Sequence, residues 1–124
     1  MKKLLLALIF LPLVSYASNW VFVSENNTGT KFKIDTTSIT RNGNEVTFWE
    51  IMNYGKRSDT GNLSGKSQSS INCRTKEYST KYMQLFSDYD AQGVLNSQFN
   101  VPITWAPIPP DTSYETVMKF VCKR

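Results

Sequence analysis

Polar and apolar residues alternate with period two along much of this chain. Lys31-Phe32-Lys33-Ile34-Asp35 alternates strictly, the pattern of a strand with one face in a core. Trp20-Val21-Phe22-Val23 is a short apolar run of the kind that forms a buried strand. Glu25-Asn26-Asn27-Thr28-Gly29, between the two, is turn chemistry. Asn42-Gly43 predicts a hairpin, because both residue types tolerate positive φ. It leads into Glu45 through Tyr54, rich in Val, Thr, Phe, Trp, Ile and Tyr and so the strongest strand candidate. Residues 55–65 hold three glycines among mostly polar residues and predict a mobile loop. Lys66 to Arg74 is the next strand. Its pleat sets Lys66, Gln68, Ser70, Asn72 and Arg74 on one face and Ser67, Ser69, Ile71 and Cys73 on the other. Tyr78 to Tyr89 and Val94 to Phe99 are further strands, separated by a turn at Asp90-Ala91-Gln92-Gly93.

The period changes at the end of the chain. Tyr114, Val117, Met118, Val121 and Cys122 recur at helical spacing and make one apolar face. Thr112 with Glu115 three residues on predicts a capping box at its start. Pro102, Pro107, Pro109 and Pro110 crowd into nine residues, so Val101 to Pro110 is expected to be an extended, irregular connector. No predicted strand contains a proline.

The first residues follow a different logic. Lys2 and Lys3 precede the apolar run Leu4–Val14, and Ser15-Tyr16-Ala17 offers small residues for cleavage. Residues 1–17 therefore read as a secretory signal peptide, with the domain in residues 18–124. The apolar run is shorter than the roughly 20 residues of a membrane-spanning helix, so no transmembrane segment is expected after cleavage. No cysteine stands near the cleavage site, so the exported chain, periplasmic or at the cell surface, is expected to carry no lipid anchor. The formal charge of the whole chain is +4; without Lys2 and Lys3 it becomes +2 over 107 residues, with 12 basic against 10 acidic side chains. That is not the electrostatic footprint of a nucleic-acid binder.

A domain this small buries only about two-thirds of its unfolded surface, so a covalent staple is expected. Cys73 and Cys122 are the only cysteines, and an exported protein meets an oxidising compartment. A structural disulfide is preferred to a redox pair, since there is no C-x-x-C. It would lay the helix across the Ile71/Cys73 side of its strand and leave the Lys66/Gln68 side to solvent.

The chain contains no histidine, which excludes Ser-His-Asp and Cys-His catalysis and His-ligated zinc. There is no glycine-rich phosphate loop and no metal-ligand spacing, so no cofactor, no metal and no enzymatic activity are expected. Asp88-Tyr89-Asp90 lacks the glycine and terminal glutamate of a calcium loop and reads as a solvated strand end. Asp35 before Thr36-Thr37-Ser38 predicts a side-chain-closed turn. Trp20, Trp49 and Trp105 read as packing residues more readily than as exposed binding aromatics. Candidate partner-binding residues are the cations Lys56, Arg57, Lys66 and Arg74, in or beside the predicted loop and at the ends of one strand. Apolar residues on both faces of Glu45–Tyr54 and Tyr78–Tyr89 predict that one face is covered by the helix and the other by a partner or a second copy, hence a homodimer.

The order of landmarks resembles the bacterial surface-adhesin protein E family. The points of similarity are Trp20, Phe32-Lys33-Ile34-Asp35 followed by Ser38-Ile39, Trp49, Tyr54, Ser67 through Ile71-Asn72-Cys73, Tyr89 before Gly93, Trp105 with Pro109-Pro110, and Phe120-Val121-Cys122. The resemblance implies an α+β fold. Its parts are a curved antiparallel sheet of about six strands and one C-terminal helix packed on one face, held by a disulfide. It also implies surface adhesion to a protein partner, a host matrix or plasma protein such as laminin, vitronectin or plasminogen. The alternative is a periplasmic interaction or inhibitor protein acting on an envelope protein.

Overall fold

A computed structural model of the chain describes residues 17–124. The expected leader, Ala17 apart, lies outside the described residues. The elements are β1 (Trp20–Glu25), β2 (Lys31–Asp35), β3 (Thr40–Asn42), β4 (Glu45–Asn53), β5 (Ser64–Asn72), β6 (Glu77–Phe86), β7 (Leu95–Asn100), β8 (Ala106–Pro107) and α1 (Ser113–Cys122). The strands form one open antiparallel sheet in the order β1-β2-β4-β5-β6-β7. Short β3 continues the edge that β2 makes along β4, and β8 does the same for β7 along β6. The six expected strands are thus six columns, two of them lengthened by a short second segment.

The strand pleat decides what each face carries. On β4, Val46, Phe48, Glu50 and Met52 face α1. They are matched by Phe32 and Ile34 of β2 and by Ser67, Ser69 and Ile71 of β5. Phe32, Ile34, Val46, Phe48 and Ile71 pack with Val117, Met118 and Val121 of α1 into the core, the helix face that the 3.6 spacing predicts. The helix is held at both ends. Ser24 Oγ donates to the carbonyl of Ser113 (2.9 Å), and Cys122 is bonded to Cys73 just past β5. Thr112 Oγ1 accepts from the Glu115 N–H (3.3 Å), while Glu115 reaches back to the N–H of Asp111 rather than that of Thr112. The hydrogen bonds from Asp111 and from Lys119 hold the Glu115 carboxyl below the usual range. Thr112→Ala is expected to lower stability by about 1 kcal/mol, read as a lower urea midpoint at unchanged slope.

Several expectations are corrected. β1 is not a buried strand: it is an edge strand, and Phe22 lies 55% exposed on the face away from the helix, while Val23 packs against the core and the bulge there brings Ser24 onto the helix side, opposite Phe32. The hairpin after β3 turns on Gly43-Asn44, since Asn42 is already paired with Glu45. Only Gly43 has positive φ (63°), the pattern of a type II′ rather than a type I′ turn. β5 starts at Ser64, so the preceding loop is shorter than expected, and it is cross-braced. Ser58 and Asn62 bond each other across a turn, and Arg57 Nη1 donates to the carbonyls of Gly61 (2.9 Å) and Ser87 (2.8 Å). β6 ends at Phe86, not Tyr89, because Asp90 and Ala91 take left-handed φ near 58° and 57° and turn the chain. The face away from the helix is not simply solvated either: Ser64, Ser70 and Ser79 on it are fully buried. The Asp35 turn forms as expected. Its Oδ1 accepts from the Thr37 N–H (3.0 Å), the Thr37 hydroxyl (2.7 Å) and the Asn19 N–H (2.9 Å). Burial alone would raise this carboxyl, but those hydrogen bonds outweigh it and hold it below the usual range.

Candidate partner-binding surface

The face of the sheet away from α1 is covered at one end by the one-turn helical segment Tyr89–Ala91, which bonds Asn53 and Ser64. By the same pleat it carries Trp20 and Phe22 of β1, Lys33 of β2, Trp49 and Ile51 of β4, Lys66 and Gln68 of β5, and Tyr82 and Gln84 of β6. Lys66 Nζ lies 5.6 Å from the Trp20 ring centre and 5.5 Å from that of Trp49, so the ammonium is held between two indoles. Trp49 meets Tyr82 edge to face at 6.0 Å. The Tyr82 hydroxyl donates to Gln98 Oε1 (2.8 Å) on β7, and Gln84 Nε2 donates to the same oxygen (3.5 Å). One continuous strip therefore crosses the sheet from β1 to β7. It is aromatic, carries one cation, and ends in amides.

Beside the strip, the turn after β6 is fastened to the sheet. Lys33 Nζ (2.7 Å) and Asn53 Nδ2 (2.8 Å) both reach Asp90 Oδ1, and the Asp90 N–H donates to Asn53 Oδ1 (2.8 Å). The hydrogen bonds from Lys33 and Asn53 hold the Asp90 carboxyl below its ordinary value. Asp88 caps the same turn by accepting from the Tyr89 N–H.

On the helix side, Glu50 is 3% exposed and lies among apolar core residues. Its Oε1 accepts from Ser67 Oγ (3.2 Å), Ser69 Oγ (3.4 Å) and the Tyr114 hydroxyl (3.4 Å); its Oε2 accepts from that hydroxyl at 3.1 Å. Burial pushes its carboxyl up to about 7, against the lowering effect of those hydrogen bonds. Burial and the nearby carboxyl likewise raise the Tyr114 hydroxyl well above its ordinary value.

The four cations singled out from the sequence do not form one patch. Lys66 is the centre of the strip. Arg57 spends its guanidinium on the two carbonyls that close its loop, and Lys56 is exposed on that loop. Arg74 is exposed in the turn after β5, past the far end of a strand segment, Lys66 to Asn72, that spans about 20 Å. Trp20 and Trp49, read from sequence as packing residues, are half-buried members of the exposed strip instead. Glu50 and Tyr82 were not singled out. For Glu50 the parity of β4 carries the signal, an acid in the apolar register Val46-Phe48-Glu50-Met52. Tyr82 has the same sequence parity as the helix-facing Tyr78, and only the bulge between them turns it to the opposite face.

An open antiparallel sheet with one disulfide-tied helix on one face and an aromatic–cationic strip on the other defines a small α+β module. Its family is given by sequence: residues 20–123 match the family described as surface-adhesin protein E, and the chain belongs to it. The fold agrees. Haemophilus influenzae protein E superposes with a TM-score of 0.64 at 16% identity, over 86% of this chain and 86% of that one. Protein E from non-typeable Haemophilus influenzae gives a TM-score of 0.64 at 16% identity, over 90% of this chain and 80% of that one. Among curated protein sequences none matches. Among the described residues no helix is long and apolar enough to cross a membrane.

Proposed function

We propose that this member of the family is an exported, non-enzymatic adhesin whose sheet takes the surface of a partner protein. The observation that carries the reading is the strip Trp20–Lys66–Trp49–Tyr82 on the face away from α1. Tryptophan and tyrosine most often dominate the energetics of protein interfaces, because they bring large rigid area at little entropic cost. Lys66, already partly stripped of water by two rings, offers its charge to an acidic group of the partner. The partner class favoured is a host matrix or plasma protein. Residues 18–124 are the proposed mature domain, and N-terminal sequencing of the exported protein is expected to start at Ser18.

The test is binding of the purified mature chain to immobilised laminin and vitronectin. Trp49→Ala is expected to weaken binding by tenfold or more, as a central aromatic contact worth about 2 kcal/mol would. Lys56→Ala, remote from the strip, is expected to change it little. No binding by the unaltered chain to either ligand, or undiminished binding by Trp49→Ala, rejects the reading. Protection from added protease until the outer membrane is opened would assign the surface to a periplasmic partner instead. A homodimer belongs to the same proposal. It is favoured by the outer edge strand β7, where Leu95 and Phe99 are 41% and 47% exposed, and a monomeric mass in light scattering rejects it.

A further inference from the structure

The buried carboxyl on the helix side opens onto a cleft that the adhesive face does not use. The cleft lies between the sheet and the segment that leads into α1, and it has a volume of about 420 Å³. Its walls are Phe32, Met52, Tyr78, Met83, Ile108 and Tyr114, and Glu50 lines its floor. Ring contacts make the walls firm: Tyr114 meets Phe32 edge to face at 5.8 Å and Tyr78 at 5.1 Å. The size lies in the range of small-ligand sites, which are mostly apolar with a few placed polar groups.

The charge arrangement in the cleft is lopsided. Every polar group facing Glu50 is a hydroxyl: Ser67 and Ser69 from β5 and Tyr114 from α1. Tyr78 of β6 stands behind Tyr114, and Phe32 and Ile34 of β2 add no charge. No ion pair among the described residues involves Glu50. Its Oε2 accepts one hydrogen bond only, from Tyr114, so acceptor capacity remains. A buried carboxyl is matched by a cation or keeps its proton; here the protein supplies no cation, so above about pH 7 the ionised group stands without one. A metal ion is the wrong occupant, because one carboxylate with three hydroxyls is short of the oxygen set that calcium or magnesium requires.

We propose that this cleft binds a small amphipathic amine, its apolar body between Phe32, Met52 and Met83 and its ammonium on the Glu50 carboxylate. The ammonium donates to the free acceptor positions of Oε2 and supplies the missing positive charge. A neutral analogue of the same shape keeps the apolar contacts and loses the ion pair. The site is independent of the strip on the other face, so either reading can fail without the other.

The experiment follows the methyl resonances of Met52 and Met83 in the full mature chain during titration with 2-phenylethylamine and with 2-phenylethanol. At pH 8 the amine is expected to move both methyls and to bind at least tenfold more tightly than the alcohol. At pH 5.5 the amine, a primary amine like that of lysine, is still charged, but Glu50 holds its proton. The affinity for the amine is therefore expected to fall by about tenfold or more while that for the alcohol stays constant. Glu50→Gln is expected to remove the preference at both pH values. Equal affinity for the two probes at pH 8, an amine affinity independent of pH, or no movement of either methyl overturns the proposal. The comparison within the unaltered protein decides it even where the Gln variant does not fold.

Discussion

Loss of the Cys73–Cys122 bond, in a Cys73→Ala/Cys122→Ala variant, is expected to lower the free energy of unfolding by about 4 kcal/mol. The bond closes a loop with a sequence separation of 49 residues, which contains β6, β7, β8 and most of α1. Without it the unfolded chain gains the entropy of that loop, and a domain this small has only about 5–15 kcal/mol of stability in all. The native side changes as well. Arg41, on the helix-facing register of β3, donates to the carbonyl of Cys122, and that contact depends on the helix end staying beside the sheet. The measurement is equilibrium urea unfolding of the oxidised protein and the double variant. The variant should show a lower midpoint and a larger slope, since its unfolded state exposes more surface. A loss below about 1 kcal/mol would mean that packing of Val117, Met118 and Val121 alone holds the helix, and would reject the clamp.

The second large effect is a stability that declines toward alkaline pH because of Glu50. Its carboxyl has a native value of about 7 against 4.5 for the free group. Below pH 4.5 the group is protonated in both states and has no pH effect. Between 4.5 and 7 the native state keeps a proton that the unfolded chain releases, so each rise in pH favours unfolding. Above 7 both states are ionised and the destabilisation is constant, about 3 kcal/mol for a displacement of this size at 1.36 kcal/mol per pH unit. Asp35 and Asp90 act in the opposite sense. Their native values lie below the free value of 3.8, so their contribution is present above that pH and is lost as pH falls through the native values. Stability is therefore expected to peak in mildly acidic solution and to decline from about pH 5 to pH 8. Glu50→Gln, which keeps the shape and removes the charge, should flatten the decline and raise the urea midpoint at pH 8. An unaltered protein with no decline over that range, or a Gln variant with the same decline, would show that Glu50 is not the cause.

Much of the fold could be read from the chain because it is local. Alternation in Lys31–Asp35 and in Glu45–Tyr54 sets which side chains share a face, and the pleat in the structure keeps those assignments. The spacing of Tyr114, Val117, Met118 and Val121 sets the buried stripe of α1, and two cysteines admit a single pairing. The reading failed where one residue's environment depends on distant chain. Phe22 sits in an apolar run yet faces outward, because pairing sets Val21 opposite core-facing Ile34 and Phe22 opposite Lys33, and no further strand or helix covers that edge residue. Arg57 looked like a free loop cation, and becomes a clamp only because Ser87 comes to lie beside it.

The candidate site divides in the same way. The amino-acid sequence by itself determined the amphipathic strands, the apolar helix face, the cysteine pair and the family, since each depends on neighbours in the chain or on ordered landmarks along it. It also placed an acid in the apolar register of β4, at Glu50. Only the tertiary structure decided that Trp20, Trp49, Lys66 and Tyr82 make one strip. They come from four strands, and the order β1-β2-β4-β5-β6 that aligns them is set by long-range backbone pairing. Only the packing of Tyr114 over β4 and β5 decided that Glu50 would be buried among hydroxyls without a cation. Periodicity tells a side chain which face it is on; desolvation and charge pairing depend on what the rest of the chain brings to that face.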